Sequence, residues 1–207
     1  MFEIRRIISV PIDKVKTAGK ILSKAFHHDP LFNYIIPDSK ERSKTTNHLF
    51  QHVVKYGIRY GEVYSSSNLG CISVWFPPKD SYYTTWKAIK TGALILPLKV
   101  KWKYLTLQNK FHKFSDSLHK KLVPYPHWYL SVIGVDPNRQ GEGLGTHLLS
   151  TTIKRIDKEY KPIYLETNLE KNIEIYKHFG FHVLKKVKIP GTKIFQWCLL
   201  RNPIKKK

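Results

Sequence analysis

Apolar positions along this 207-residue chain recur with two periods, and the alternation between them predicts its elements. Phe2 to Ser9 reads as a first strand. Pro11 sits where the first turn of a helix tolerates it, and Val15, Ala18, Leu22, Ala25 and Phe26 follow at helical spacing. The run His27-His28-Asp29-Pro30 ends that helix, and a second is expected from Ser39 through Leu49, Phe50, Val53 and Val54 to just before Gly61. Glu62 to Ser66 and Cys71 to Phe76 flank a polar, glycine-containing turn and so predict an antiparallel hairpin. Tyr129 to Val135 is a further strand. It runs through Asp136-Pro137 and a glycine-dense loop into a helix carrying Leu144, Leu148, Leu149, Thr152, Ile153 and Ile156, which lasts to about Lys158. A strand at Ile163 to Glu166, a helix capped by Asn168 and ended by Gly180, and two strands at Phe181 to Ile189 and Ile194 to Leu200 complete the pattern. The order predicts one α/β (α+β) domain over residues 1–207, built on a mixed, mostly antiparallel sheet of six to seven strands flanked by helices.

Residues 79–122 interrupt this order between the third and fourth strands. Aromatics and lysines interleave there: Tyr82, Tyr83, Trp86, Lys87, Lys90, Lys99, Lys101, Trp102, Lys103 and Tyr104. Such interleaving can mean base stacking; at helical spacing the stronger reading is two or three amphipathic helices, broken near Pro97, with their lysines facing water. The insertion is placed to shape or cover a cleft.

Composition narrows the classes. With 42% apolar and 13% aromatic residues the chain can bury a core. The charged segment MFEIRRIISV does not read as a signal peptide, and the apolar run Ala93 to Leu98 is too short to span a bilayer, so no membrane partner is expected. Cys71 and Cys198 both lie in strand-like runs and read as buried, reduced thiols in a cytoplasmic protein. The net charge of +21 is the compositional outlier. A field of that sign attracts phosphates and polyanions, yet the lysines are spread over every element, which favours a solvated surface over a nucleic-acid stripe; nucleic-acid binding stays open on charge alone. The pair His27-His28 beside Asp29 has no second set of ligands at metal spacing, so no metal is expected and His28 is instead a candidate for the rim of a substrate cleft.

The chemistry is concentrated in WYLSVIGVDPNRQGEGLGTHLL, residues 128–149. A strand entering a helix through glycines leaves several backbone N–H groups unpaired at the positive end of a helix dipole, a ready anion site. Glycines at 141, 143 and 145 let a bulky phosphate approach. The spacing is neither a dinucleotide fingerprint nor a Walker loop, since the third glycine follows too soon and no lysine follows Gly145. What remains is Gln-x-x-Gly-x-Gly at Gln140, Gly143 and Gly145 after Val-Asp-Pro. This resembles the acetyl-coenzyme A motif of the GNAT superfamily of N-acetyltransferases. The segment LETNLEKNIEIYKHFGF carries a second likeness at Asn172, Tyr176, Gly180 and Phe181. With Trp197-Cys198 it is similar to puromycin N-acetyltransferase and its small-molecule relatives. The likeness is good over residues 128–202, only in layout over 1–78, and absent over 79–122.

The resemblance implies the GNAT fold, acetyl-CoA as co-substrate, and transfer of acetyl to the primary amine of a small molecule by direct attack in a ternary complex. It implies a cofactor site formed by Ile133, Gly134, Val135, Gln140, Gly141, Glu142, Gly143, Leu144, Gly145, Thr146, Asn172 and Tyr176. Tyr176 is placed to protonate the departing thiolate and Glu166 is the candidate base, with backbone N–H groups around Gly134 and Val135 polarising the thioester. Trp75, His127 and Tyr129 join His28 as candidate acceptor-site residues; core burial is the alternative for Trp75, a surface position for His127. A monomer or homodimer is expected. The competing classes are a non-catalytic module sensing acyl-CoA or binding nucleic acid, and a protein N-acetyltransferase, whose open groove the insertion would obstruct.

Overall fold

The computed structural model describes residues 6–203. Seven strands form a single sheet: β1 (Ile7–Ser9), β2 (Glu62–Ser66), β3 (Cys71–Phe76), β4 (Trp128–Val135), β5 (Ile163–Thr167), β6 (His182–Lys188) and β7 (Phe195–Arg201), in the order β1-β2-β3-β4-β5-β7-β6. Every neighbouring pair is antiparallel except β4 and β5, which run parallel. This is the mixed, mostly antiparallel sheet that the periodicity predicts. The expected first strand is described only from Ile7; Phe2 to Arg5 lie outside the described residues.

Helices cover both faces. Helices α1 (Val15–Ala25) and α3 (Ser39–Tyr60) place Ala18, Leu22, Phe50 and Val54 on Ile72, Val74 and Val132 of the sheet. Helices α7 (Leu144–Ile156) and α8 (Asn172–His178) cover the opposite face, where Leu149, Ile153, Ile156, Ile173 and Tyr176 pack with Leu130, Leu165 and Leu199. Burying such side chains contributes about 1.5–3 kcal/mol each, which is why the spacing of apolar residues fixes these helices so firmly.

The insertion forms three α-helices: α4 (Thr85–Lys90), α5 (Leu96–Lys99) and α6 (Trp102–Leu122). The helices break near Pro97, as expected, though not at the proline itself, which sits in the first turn of α5, where its missing N–H costs nothing. The chain direction changes instead at Gly92, whose φ of 95° is left-handed, and at Val100, whose extended backbone separates α5 from α6. Two expectations are corrected. A short helix, α2 (Pro30–Ile35), follows the histidine pair, capped by Asp29 accepting from the amides of Leu31 and Phe32 at 2.9 and 3.1 Å. Asn168 does not cap α8: its Nδ2 donates to the Phe195 carbonyl at 3.1 Å, and the helix begins four residues later.

Gly61 joins α3 to β2 where no side chain fits. A Cβ there would lie 2.2 Å from the Trp75 carbonyl oxygen and 2.8 Å from the Phe76 ring. Since the first obstacle is backbone, no rotamer change relieves it. Gly61→Ala is expected to destabilise the fold by about 2 kcal/mol or more in urea denaturation; an unchanged midpoint would contradict this packing.

Candidate active site

The parallel pairing of β4 with β5 is short. It links Trp128 with Ile163, Tyr129 with Tyr164 and Leu130 with Leu165, and then stops. Beyond it, Glu166 and Thr167 stay paired with Cys198 and Trp197 of β7, while Val132 to Val135 stay paired with β3. The β3 register jumps from Trp75–Leu130 to Val74–Val132, so Ser131 is an extra residue, a bulge at the point of divergence. Past that point one backbone edge of β4 has no strand partner among the described residues.

At the far end of this open edge lies the glycine loop. Asp136 accepts from the Asn138 amide at 3.1 Å and pairs with Lys24 of α1 at 2.9 Å, tying the loop to the first helix. Gly141 and Gly143 are left-handed, with φ of 86° and 74°, and a Cβ on either would meet nothing within 4 Å, so the space beside them is open. The first backbone bond of α7 runs from His147 N–H to the Gly143 carbonyl, so the amides of Leu144, Gly145 and Thr146 precede the helical ladder. Gly145 lets the helix approach β4: a Cβ there would be 3.0 Å from Val135 Cγ2. Glu142 is neutralised within the loop by Arg139, at 3.1 and 2.6 Å.

A cavity of about 380 Å³ occupies the divergence and is lined from both faces of the sheet: Ser131 to Ile133 of β4, Glu166 of β5, Asn172 and Tyr176 of α8, and one side each of α3 and α6. Glu166 Oε1 accepts from the Tyr164 hydroxyl at 2.8 Å. Burial pushes the Glu166 carboxyl up to about 8, with nearby Asp116 adding to the rise and the Tyr164 hydrogen bond opposing it. Such a carboxyl exchanges protons near neutrality. Burial likewise pushes the Tyr176 phenol up to about 12, so it keeps its proton. Asn172 donates to Thr167 Oγ1 at 3.3 Å one turn before Tyr176.

The expected acceptor-site residues separate. Tyr129 lines the cavity. Trp75 does not; it is fully buried in the core, its Nε1 donating to Ser73 Oγ at 2.9 Å, because its position on β3 faces α7 rather than the cavity. His28 is exposed, edge-on to His27 at 4.9 Å, outside the lining. His127 is neither a surface group nor in the cavity: it is fully buried, with Nδ1 donating to the Tyr125 carbonyl at 2.6 Å. Its Nε2 meets His119 Nε2 at 2.6 Å, and two neutral rings share one proton there. With the His127 proton held on Nδ1, His119 supplies it. His119, stacked on Tyr164 at 4.1 Å, is the member that faces the cavity, and burial lowers its imidazole to about 3, leaving it neutral. Gly134 and Val135 are likewise outside the lining; Gly134 faces α1, where a Cβ would be 2.9 Å from Ala25 Cβ.

A family model described as "Acetyltransferase (GNAT) family" matches residues 105–181. A Schizosaccharomyces pombe protein named an uncharacterized N-acetyltransferase is 28% identical over 174 residues, 80% of this chain and 70% of that one. Among solved structures, a histone acetyltransferase HPA2 and related acetyltransferase from Corynebacterium glutamicum superposes with a TM-score of 0.67 at 19% identity, covering 97% of each chain. A Drosophila melanogaster polyamine N acetyltransferase superposes with a TM-score of 0.60 at 12% identity, over 95% of this chain and 99% of that one. The chain has the GNAT fold. The family model and the named relative support an acetyltransferase enzyme.

Within this acetyltransferase the insertion contributes what the motifs did not reveal. Gln108, His112, Ser115, Asp116 and His119 of α6 face the cavity. Gln108, His112, Ser115 and His119 are spaced four, three and four residues apart, a polar stripe at helical period inside an otherwise amphipathic helix, and that was the available signal. Among the residues lining the cavity there are four carboxyl groups, Asp29, Asp80, Asp116 and Glu166, and neither lysine nor arginine.

Glu166 makes stability depend on pH in a defined direction. The folded carboxyl holds its proton up to about 8 instead of the usual 4.5, so the native state binds more protons across that window, and its contribution to stability falls as pH rises through it. Glu166→Gln, which does not titrate, is expected to gain melting temperature relative to the parent between about pH 5 and about pH 9; a pH-independent difference would contradict the buried carboxyl.

Proposed function

We propose that this acetyltransferase moves acetyl from acetyl-CoA to the primary amine of a small cationic molecule by direct attack in a ternary complex. The observation that carries the reading is the absence of lysine and arginine from the cavity lining of a strongly basic chain. The chain has a net charge of +21, yet the cavity wall holds four carboxyl groups and neither lysine nor arginine. A cationic amine leaves a repelling exterior for a lining that holds no competing cation and whose carboxyl and hydroxyl oxygens can accept its N–H groups. The likeness of residues 165–181 and Trp197-Cys198 to puromycin N-acetyltransferase and its relatives supports a small acceptor, as does the way α6 closes one side of the cavity.

The residues present fit acetyl-CoA. Left-handed Gly141 and Gly143 leave open space beside the unladdered amides of Leu144, Gly145 and Thr146, suited to a pyrophosphate, with Gln140 and Glu142 completing the loop. The unpaired edge of β4 through Ile133, Gly134 and Val135 suits an extended amide-bearing arm, and Asn172 and Tyr176 flank its inner end. Bound there, the coenzyme supplies the acetyl thioester. Backbone N–H groups on the open edge of β4, between Ser131 and Val135, would polarise its carbonyl.

Glu166 takes the proton of the acceptor ammonium, directly or through water, as its raised acidity range allows near neutral pH. Tyr176, which retains its proton, donates it to the departing sulfur. The Tyr164 hydroxyl holds Glu166 Oε1, leaving the other oxygen for the substrate. Cys71 and Cys198 are buried outside the lining, and burial raises both thiols, Cys198 to about 11, so neither suits a covalent relay.

Thiol release from acetyl-CoA with polyamines, aminonucleosides and aminoglycosides tests the reading. Turnover with at least one such amine is expected, with intersecting initial-rate lines. Tyr176→Phe is expected to lower kcat roughly tenfold or more while coenzyme affinity stays nearly constant. The rate of the parent is expected to rise through about pH 8 and that of Glu166→Gln to lose the inflection. Unchanged turnover in Tyr176→Phe removes the phenol from the chemistry, and thiol release with anionic acceptors alone overturns the charge argument.

A further inference from the structure

The outer side of the insertion carries large apolar side chains that the fold leaves in water. Trp86 is 63% exposed, Leu94 69%, Ile95 50%, Leu98 85% and Trp102 73%. These are not inward residues that failed to pack. The same stretch has its own buried anchors, since Ala88, Val100 and Tyr104 are nearly inaccessible and Leu96 lines the cavity. Leu94, Ile95 and Leu98 lie three and four residues apart across a short 3-10 turn and α5, so they share a side, and Trp102 opens the next helix. An exposed apolar stretch of this kind marks a site of interaction.

Charge identifies the occupant. From residue 81 to residue 115 the chain contains no aspartate or glutamate and seven lysines, of which Lys87 and Lys101 pair with Asp80 and Glu41 outside the stretch while Lys90, Lys99, Lys103, Lys110 and Lys113 add to its positive charge. A second copy of this +21 chain would bring like charge against like. A nucleic acid would use the lysines and the two indoles, but not Leu94, Ile95 and Leu98, since aliphatic side chains neither stack on bases nor bind phosphates. Aliphatic tips, flanking tryptophans and surrounding lysines together match the boundary of an anionic bilayer, where hydrocarbon takes the first, the interface the second and headgroup phosphates and carboxylates the third.

We propose that residues 86–102 dock this protein on anionic membrane surfaces, with Leu94, Ile95, Leu98 and Trp102 entering the headgroup boundary. The contact is peripheral: among the described residues no helix is long and apolar enough to cross a membrane. It revises the expectation of no membrane partner, which rested on length of apolar runs and not on which side chains the fold exposes. Docking sets one wall of the cavity, through Leu96, beside the lipid.

Vesicles of phosphatidylcholine, with and without phosphatidylserine, test this on the full chain. Three of the five tryptophans, Trp75, Trp128 and Trp197, are buried, so a shift of emission to shorter wavelength on adding vesicles reports Trp86 and Trp102. Co-sedimentation and the blue shift are expected with phosphatidylserine vesicles, and roughly tenfold weaker with phosphatidylcholine alone or in high salt. The double variant Leu98→Ser/Trp102→Ser is expected to lose about tenfold in affinity with an unchanged melting curve, both side chains being exposed. No co-sedimentation with anionic vesicles, equal binding by the double variant, or tighter binding to single-stranded RNA with the same dependence on Leu98 and Trp102 would overturn the proposal.

Discussion

The parting of β4 from β5 after three residue pairs is the constraint on which the site depends. Each strand is held by its outer neighbour, β4 by β3 and β5 by β7, so neither follows the other. The unshared edge and the volume beyond it are consequences of that competition, and the bulge at Ser131 lets β4 turn away without losing its register to β3. Two glycines keep the opening framed. Gly134 admits α1 to the back of β4, and Gly145 admits α7 to Val135, so the helix start and its free amides stand beside the open edge.

Electrostatics divides the molecule into an outside and an inside. The surface is strongly cationic, and many of its ion pairs are exposed and worth little individually. Better-buried pairs tie elements together: Arg201 holds Asp157 with both terminal guanidinium nitrogens, clasping the end of α7 to β7, and Arg155 reaches Glu62 of β2. The cavity lining holds no lysine or arginine and is close to neutral. Its histidines are kept neutral by burial, and Asp80 and Asp116 are each met by a lysine outside the lining, Lys87 and Lys120. Glu166 has no such cation among the described residues, and desolvation dominates its titration.

Much of this was legible in the sequence, and the failures share a cause. The hairpin of β2 and β3 was read with its observed bounds because a glycine turn between alternating runs leaves little freedom. The long helices and the glycine loop were equally local signals, whereas the pair Asn172 and Tyr176 was pointed to by the family resemblance. Trp75, His28 and His127 were misplaced because strand period gives two faces without saying which carries the cavity, and because a buried histidine needs a partner that sequence does not name; for His127 that partner, His119, comes from the insertion. Helix α2 was missed for its six residues, although Asp29-Pro30 is a cap followed by an N1 proline. In the insertion the period correctly gave amphipathic helices but assumed that their apolar sides turn inward, which Leu94, Leu98 and Trp102 do not.

Backbone amide hydrogen exchange with and without coenzyme A, resolved by residue, measures the central claim directly. The account predicts slowed exchange confined to two stretches, Ser131 to Val135 on the open edge of β4 and Gly141 to Thr146 at the start of α7. Coenzyme A binding that leaves both stretches exchanging as before, or no binding by the folded protein, would contradict it.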